Sequence, residues 1–227
     1  ALGGGLMELY YLITISDRDR AEMLSTIYHA AGTGMVLTKL GRGTATGEQL
    51  SSYGLDATEK AVVSTVADAE QTRQIFRAAK RKLFIDIPGN GVMMAIPLKS
   101  VAGGRTLGFL TDSTQTGGKP AMDFSHELIM AIMNEGYSDT VMDAARSAGA
   151  GGGTVLHAKG TGRARAEKFF GVSLADEKDV VYIVAHAEEK AAIMQAIADN
   201  AGPGTRAGAI CFSLPISQVA GLRERDE

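Results

Sequence analysis

The chain has 227 residues, 45% of them hydrophobic and 22% charged, with a net charge of −3 and a single cysteine. This balance excludes wholesale disorder, and no apolar run approaches the ~18 residues of a membrane-spanning helix. The small negative charge gives no electrostatic footprint for nucleic acid or membrane insertion, and one cysteine permits no internal disulfide. The opening Ala-Leu-Gly-Gly-Gly-Leu-Met lacks the basic and apolar regions of a signal peptide, so a cytoplasmic protein is expected.

In chain order, Glu8 to Ile15 reads as a strand rich in Leu, Tyr and Ile. Ser16, Asp17 and Asp19 then mark a helix start; Ala21, Leu24, Ile27 and Ala31 recur at helical spacing, and Gly32 ends the run. A strand over 35–40 leads into a Gly/Thr/Ser-rich stretch, 41–58, too poor in apolar residues to offset its ordering entropy. A third strand covers 61–66, and a helix covers 70–82 with Ile75, Phe76, Ala79 and Leu83 on one face. The fourth strand is 92–98.

Beyond a Gly/Thr-rich linker the series starts again. Strand 126–133 is followed by a helix carrying Met142, Ala145 and Ala148 and stopped by Gly149. Strand 154–159, a polar stretch over 160–176, strand 180–185, a helix with Ile193, Met194 and Ile197, and strand 209–216 complete it. The two halves are related in sequence as well as in order. At an offset of 119, Glu8-Leu9 matches Glu127-Leu128, Val36-Leu37 matches Val155-Leu156, and Gly41 and Gly43 fall on Gly160 and Gly162. At an offset of 118, Glu59-Lys60 matches Glu177-Lys178, Val62-Val63 matches Val180-Val181, and Val101-Ala102-Gly103 matches Val219-Ala220-Gly221.

A tandem βαββαβ order predicts an α+β chain of two ferredoxin-like domains. Each is expected to be a four-stranded antiparallel sheet with both helices on one face. The expected boundaries are 7–103 and 126–222, with 104–125 as linker. Both faces of the strands are apolar, Tyr11, Ile13 and Ile15 against Tyr10 and Leu12, so the face without helices needs cover from another sheet or an oligomer.

A βαββαβ unit with a long glycine-flanked connection between its second and third strands resembles the PII nitrogen-regulatory signalling proteins. Val155 to Arg163 (Val-Leu-His-Ala-Lys-Gly-Thr-Gly-Arg) looks like that family's strand running into a Gly-x-Gly-Arg entry to the T-loop. Gly202 to Gly208, ahead of Ala209-Ile210-Cys211-Phe212, resembles the glycine-rich B-loop, and Arg223 and Arg225 are similar to paired arginines after the last strand. The first copy keeps Gly41-Arg42-Gly43 and Gly89-Asn90-Gly91 but has Thr44 in place of the arginine.

The resemblance implies a non-catalytic regulatory protein, typically a trimer. Such proteins bind an effector such as ATP, ADP or AMP in a cleft and act on a target enzyme or transporter through the T-loop. The implied effector residues are Gly160, Gly162, Arg163, Gly202, Gly204, Arg206, Gly208, Arg223 and Arg225, with Gly41, Gly43, Gly89 and Gly91 in the first copy. Glycines let backbone N–H groups approach phosphate, and a guanidinium forks onto its oxygens. The sequence departs from the family pattern at the B-loop lysine, where Ala209 and Val92 stand, and at the glutamine after Gly-x-Gly-Arg, where Ala164 stands. Arg206 lies in the same loop and offers a replacement charge.

Other chemistry is less well marked. No Walker A motif is present, and His29, His126, His157 and His186 fall at no metal-ligand spacing, so neither a metal nor another cofactor is expected. Cys211 reads as an inert core thiol, and Arg77, Lys80, Arg81 and Lys82 read as a solvated helix end. A small ferredoxin-like enzyme of the dimeric-barrel type, and a scaffold module without ligand, remain open alternatives.

Overall fold

The computed structural model describes residues 9–44, 59–98, 124–160, 168–169, 172–173 and 176–222. The chain divides into two compact units. One comprises Ala1–Leu40, Glu59–His126 and Pro215–Glu227; the other comprises Gly41–Thr58 and Glu127–Leu214. Most of the polar stretches 41–58 and 160–176, and the linker segment 104–123, lie outside the described residues.

The first unit is built from β1 (Leu9–Asp17), a 3-10 turn (Arg18–Arg20), α1 (Ala21–Ala30), the start of β2 (Leu37–Gly43), β3 (Glu59–Asp68), α2 (Ala69–Leu83) and β4 (Val92–Pro97). Its strands lie in the order β2-β3-β1-β4, and β1 pairs antiparallel with both β3 and β4. Alternate residues of these strands, Tyr10, Leu12, Val63, Ala67, Met93 and Ala95, share one core with Leu24, Ile27 and Tyr28 of α1 and Ile75, Phe76 and Ala79 of α2. Both helices therefore cover one face, as period-2 strands and 3.6-period helices require. Helix α2 starts on a capping box, in which the Asp68 carboxylate accepts the Gln71 N–H at 2.9 Å and Gln71 Oε1 accepts the Asp68 N–H at 3.1 Å.

The other face of this sheet is also buried: Ile13, Val62, Met94 and Ile96 are all at most 3% exposed. The sheet has a fifth strand that the sequence reading does not contain. β11 (Gln218–Ala220) pairs antiparallel with β4, placing Val219 against Met94. Four strands per sheet is thus an undercount here. The chain beyond Ser217 continues as ladder because β4 otherwise leaves an unpaired edge.

The second unit contains β5 (His126–Asn134), α3 (Ser138–Ser147), β6 (Thr154–Gly160), β9 (Asp176–His186), α4 (Lys190–Ala201) and β10 (Ile210–Ile216), with strand order β10-β5-β9-β6. A two-residue ladder between β7 (Lys168–Phe169) and β8 (Val172–Ser173) lies in the stretch read as loop. The core again forms on one face, from Ile129, Ala131, Met133, Val155, Val181 and Ile183 with Val141, Met142, Ala145, Ile193 and Ile197. The last strand is less buried than its apolar sequence suggests, with Ile210 and Phe212 exposed and Cys211 half-buried. Burial still pushes the Cys211 thiol pKa up, which keeps it in the unreactive form.

The second strand also differs from expectation. It covers 37–43 rather than 35–40, because its end Gly41–Gly43 pairs with β6, with Arg42 opposite Val155. A Cβ at Gly41 would stand 2.7 Å from both the Val155 carbonyl oxygen and Leu156 Cδ2. The glycine is there for a close strand approach and not for a turn. Thr44 then accepts the Gly153 N–H at 2.8 Å and donates to the Gly153 carbonyl at 3.0 Å, while Arg146 donates to the Thr44 carbonyl.

Candidate functional site

Of the residues implied by the sequence for the second copy, the described ones, Gly160 and the Gly202–Gly208 loop, lie at the end of the second unit's sheet where β5 ends, β9 begins, β6 ends and the glycine loop returns to β10. Gly160 is the last residue of β6, paired with Asp176 at the start of β9. Gly162, Arg163, Arg223 and Arg225 lie outside the described residues. Gly202 closes α4 in extended geometry and is buried; a side chain there would strike the Ala198 carbonyl. Gly204 faces open space, and Gly208 has a positive φ of 56°.

The loop is propped from beneath. Asn134, at the end of β5, donates its side-chain amide to the Arg206 carbonyl at 2.9 Å, and its backbone N–H donates to the Ala207 carbonyl at 2.9 Å. Its Oδ1 accepts from Lys178 Nζ of β9 at 2.7 Å. The loop backbone is thereby fixed while residues 203–206 stay exposed. Ala209, which stands where a phosphate-binding lysine is expected, is a 2%-exposed core residue. The cationic side chain of this loop is Arg206.

Beside this lies an arrangement that sequence reasoning missed. His157 of β6 faces Asp179 of β9 directly across the ladder, with Nδ1 2.7 Å from Oδ1. The Asp179 side chain is 3% exposed, whereas His157 is 71% exposed. The second carboxylate oxygen accepts the Gly136 N–H at 3.0 Å. Further out, Lys159 and Glu177 pair at 3.2 Å, both exposed. Spacing along the chain gives no sign of a pair that only strand register creates.

In the first unit the corresponding loop is held differently. Gly89 and Gly91 both have positive φ, 99° and 130°, and a Cβ at Gly91 would stand 2.5 Å from the Ile15 carbonyl oxygen. Arg20 reaches into this loop, donating to the Asn90 carbonyl and Asn90 Oδ1 at 3.2 Å each and to the Leu83 carbonyl at 3.4 Å. Asp17 and Lys60 pair at 2.5 Å beside it, and Arg18 pairs with Glu59. Gly41 and Gly43, read from sequence as entry to a loop, lie inside β2.

Among the described residues no group of three or more His, Cys, Asp or Glu side chains is placed to hold a metal, and no helix is long and apolar enough to cross a membrane.

Residues 126–226 match the family model described as nitrogen regulatory protein P-II. Similar solved structures include the PII protein of Arabidopsis thaliana, described as bound to citrate, at 18% identity over 46% of this chain and 97% of that chain, with a TM-score of 0.34. The GlnK protein of B. subtilis is 16% identical over 44% of this chain and 92% of its own, with a TM-score of 0.33. A second GlnK structure from B. subtilis, described as an ATP complex, is 16% identical over 40% of this chain and 82% of its own, at 0.31. No curated protein matches the chain.

Proposed function

We propose that this chain, whose residues 126–226 match the family model of nitrogen regulatory protein P-II, is a non-catalytic regulator that senses a small effector and acts on a partner protein. The supporting observation is the glycine loop of the second unit, Gly202 to Gly208. Its backbone is braced by Asn134 while the Arg206 side chain is left exposed. An exposed guanidinium on a loop whose Gly204 leaves open space around it suits the phosphates of a nucleotide. The effector is an adenine nucleotide, ATP, ADP or AMP, contacting Gly202, Gly204, Arg206 and Gly208 and also Gly160, Gly162, Arg163, Arg223 and Arg225. The 160–176 connection, which leaves from the same end of the sheet, is the element that meets a target enzyme or transporter. The working assembly is a cytoplasmic homo-oligomer, with a trimer favoured, in a role connected with nitrogen metabolism.

Titration calorimetry of the full chain with ATP, ADP and AMP, on wild type and on Arg206→Ala, tests the effector. The reading predicts saturable heat with at least one nucleotide and its loss in the variant. No heat with any of the three removes the nucleotide.

A further inference from the structure

The end of α2 carries a side chain that its backbone does not favour. Phe84 closes the helix in the left-handed region, at φ 52°, and among the described residues it is the one non-glycine residue with a positive φ. Glycine is the usual residue at such a helix end, and a bulky aromatic there works against folding. The fold does not recover that cost by packing the ring, since Phe84 is 57% exposed. At the equivalent position of the second repeat, α4 is closed by Gly202.

The ring is held in place. The Phe84 carbonyl accepts the Ile87 N–H and the Asn90 side-chain amide, both at 3.0 Å, and the Ile87 carbonyl accepts the Asn90 N–H at 3.1 Å. These two successive turns keep Ile87, itself 53% exposed, next to Phe84. Ile85 between them is fully buried, and Arg20 ties down the Leu83 and Asn90 carbonyls. Gly221 lies so close that a Cβ there would strike the Gly91 and Ile85 carbonyl oxygens. A tip fixed in this way loses little freedom when its exposed apolar side chains are covered.

The helix face that leads to this tip is basic. Arg77, Lys80 and Arg81 precede Phe84 by seven, four and three residues, which puts all three on its side of α2. They and Lys82 are exposed, and Lys80, Arg81 and Lys82 form no ion pair among the described residues. Asp86 is the one acid of the loop. A chain of net charge −3 thus gathers four cations beside two exposed apolar side chains. In the second repeat Gln195, Ala198, Asp199 and Thr205 stand at the positions of Arg77, Lys80, Arg81 and Ile87, so cations and apolar pair are lost together. Flexible cations around a small apolar tip offer charge and shallow insertion with little directional bonding, which matches an anionic lipid interface.

We propose that this end of the first unit docks on an anionic lipid surface. Phe84 and Ile87 enter the boundary between headgroups and acyl chains, and Arg77, Lys80, Arg81 and Lys82 lie against the lipid charge. The inference stands apart from the nucleotide reading, which concerns the second repeat.

The test is sedimentation of the full chain with vesicles of phosphatidylcholine alone and of phosphatidylcholine with about one-third phosphatidylserine, at about 50 mM salt. Binding is expected to the anionic vesicles alone and is expected to fall at about 500 mM salt. Lys80→Ala with Arg81→Ala should weaken it about twenty-fold. Phe84→Gly should weaken it about ten-fold and at the same time raise the denaturation midpoint, because glycine accepts φ 52° without strain. A phenylalanine with a merely structural role would not give that opposed pair of shifts. Absence of sedimentation with both compositions overturns the proposal and leaves the patch to an acidic protein partner. Equal sedimentation with both, or binding that Phe84→Gly leaves unaltered, also overturns it.

Discussion

In the first repeat the glycine loop ahead of β4 is latched from within, because Arg20 forks onto the Asn90 and Leu83 carbonyls. In the second repeat the equivalent of Arg20 is Asp139, which has no guanidinium to give, and the loop ahead of β10 is instead propped by the neutral Asn134. Its cation, Arg206, stays exposed. The strand pair beneath diverges in the same sense: Thr38 and Ala61 stand where the second repeat has His157 and Asp179. Two copies of one fold therefore use the same end of the sheet for opposite ends. One closes its polar groups on itself, and the other leaves a guanidinium and an imidazole facing outward.

The largest effect that separates the two loops is expected from a methyl group. Gly91→Ala forces an L side chain to φ 130° and against the Ile15 carbonyl, and it should lose about 3 kcal/mol or more of unfolding free energy in chemical denaturation. Gly204→Ala, in the loop of the second repeat, meets nothing within 4 Å and should leave the denaturation midpoint unchanged. Equal losses at both positions would erase the distinction between a latched loop and an open one.

Arg20→Ala comes next. It removes the latch and leaves two part-buried carbonyls short of a donor, for an expected loss of about 1 kcal/mol. Arg206→Ala should leave stability unaltered, since its side chain is exposed. The same denaturation series checks both.

A smaller effect tests the closed character of the first unit at high pH. Tyr28 is fully buried, with its hydroxyl 2.5 Å from that of Thr14, and burial pushes its pKa well above the usual value of about 10. The folded chain then holds a proton that the unfolded chain releases. The stability from this neutral phenol is complete below about pH 10 and declines as pH rises from there toward the folded pKa. Tyr28→Phe should lose about 1 kcal/mol at neutral pH and show a shallower decline above pH 10. An identical alkaline slope in both proteins would place the titration elsewhere.

Much of this fold is legible in the sequence because two signals coincide. Apolar spacing gives each strand and helix, and the self-match at offsets of 119 and 118 fixes their order twice. What escapes depends on a neighbour that the local sequence does not contain. Gly41 and Gly43 look like turn residues until β6 is seen passing against them. Gln218–Ala220 is too short to show alternation and becomes a strand only because β4 offers an edge. The glycine loops are visible as composition, but whether one is latched depends on Arg20 or Asp139, which stand far upstream of the loop in each copy. The His157–Asp179 pair exists only in the register of β6 against β9.

The central claim, that the second repeat keeps its glycine loop open for an effector while the first has closed its own, is tested most directly by calorimetry with ATP, ADP and AMP on three proteins. The account predicts a single class of site in the wild type, retained in Arg20→Ala and lost in Arg206→Ala. Absence of heat from all three nucleotides in the wild type, or binding that survives Arg206→Ala, would contradict it.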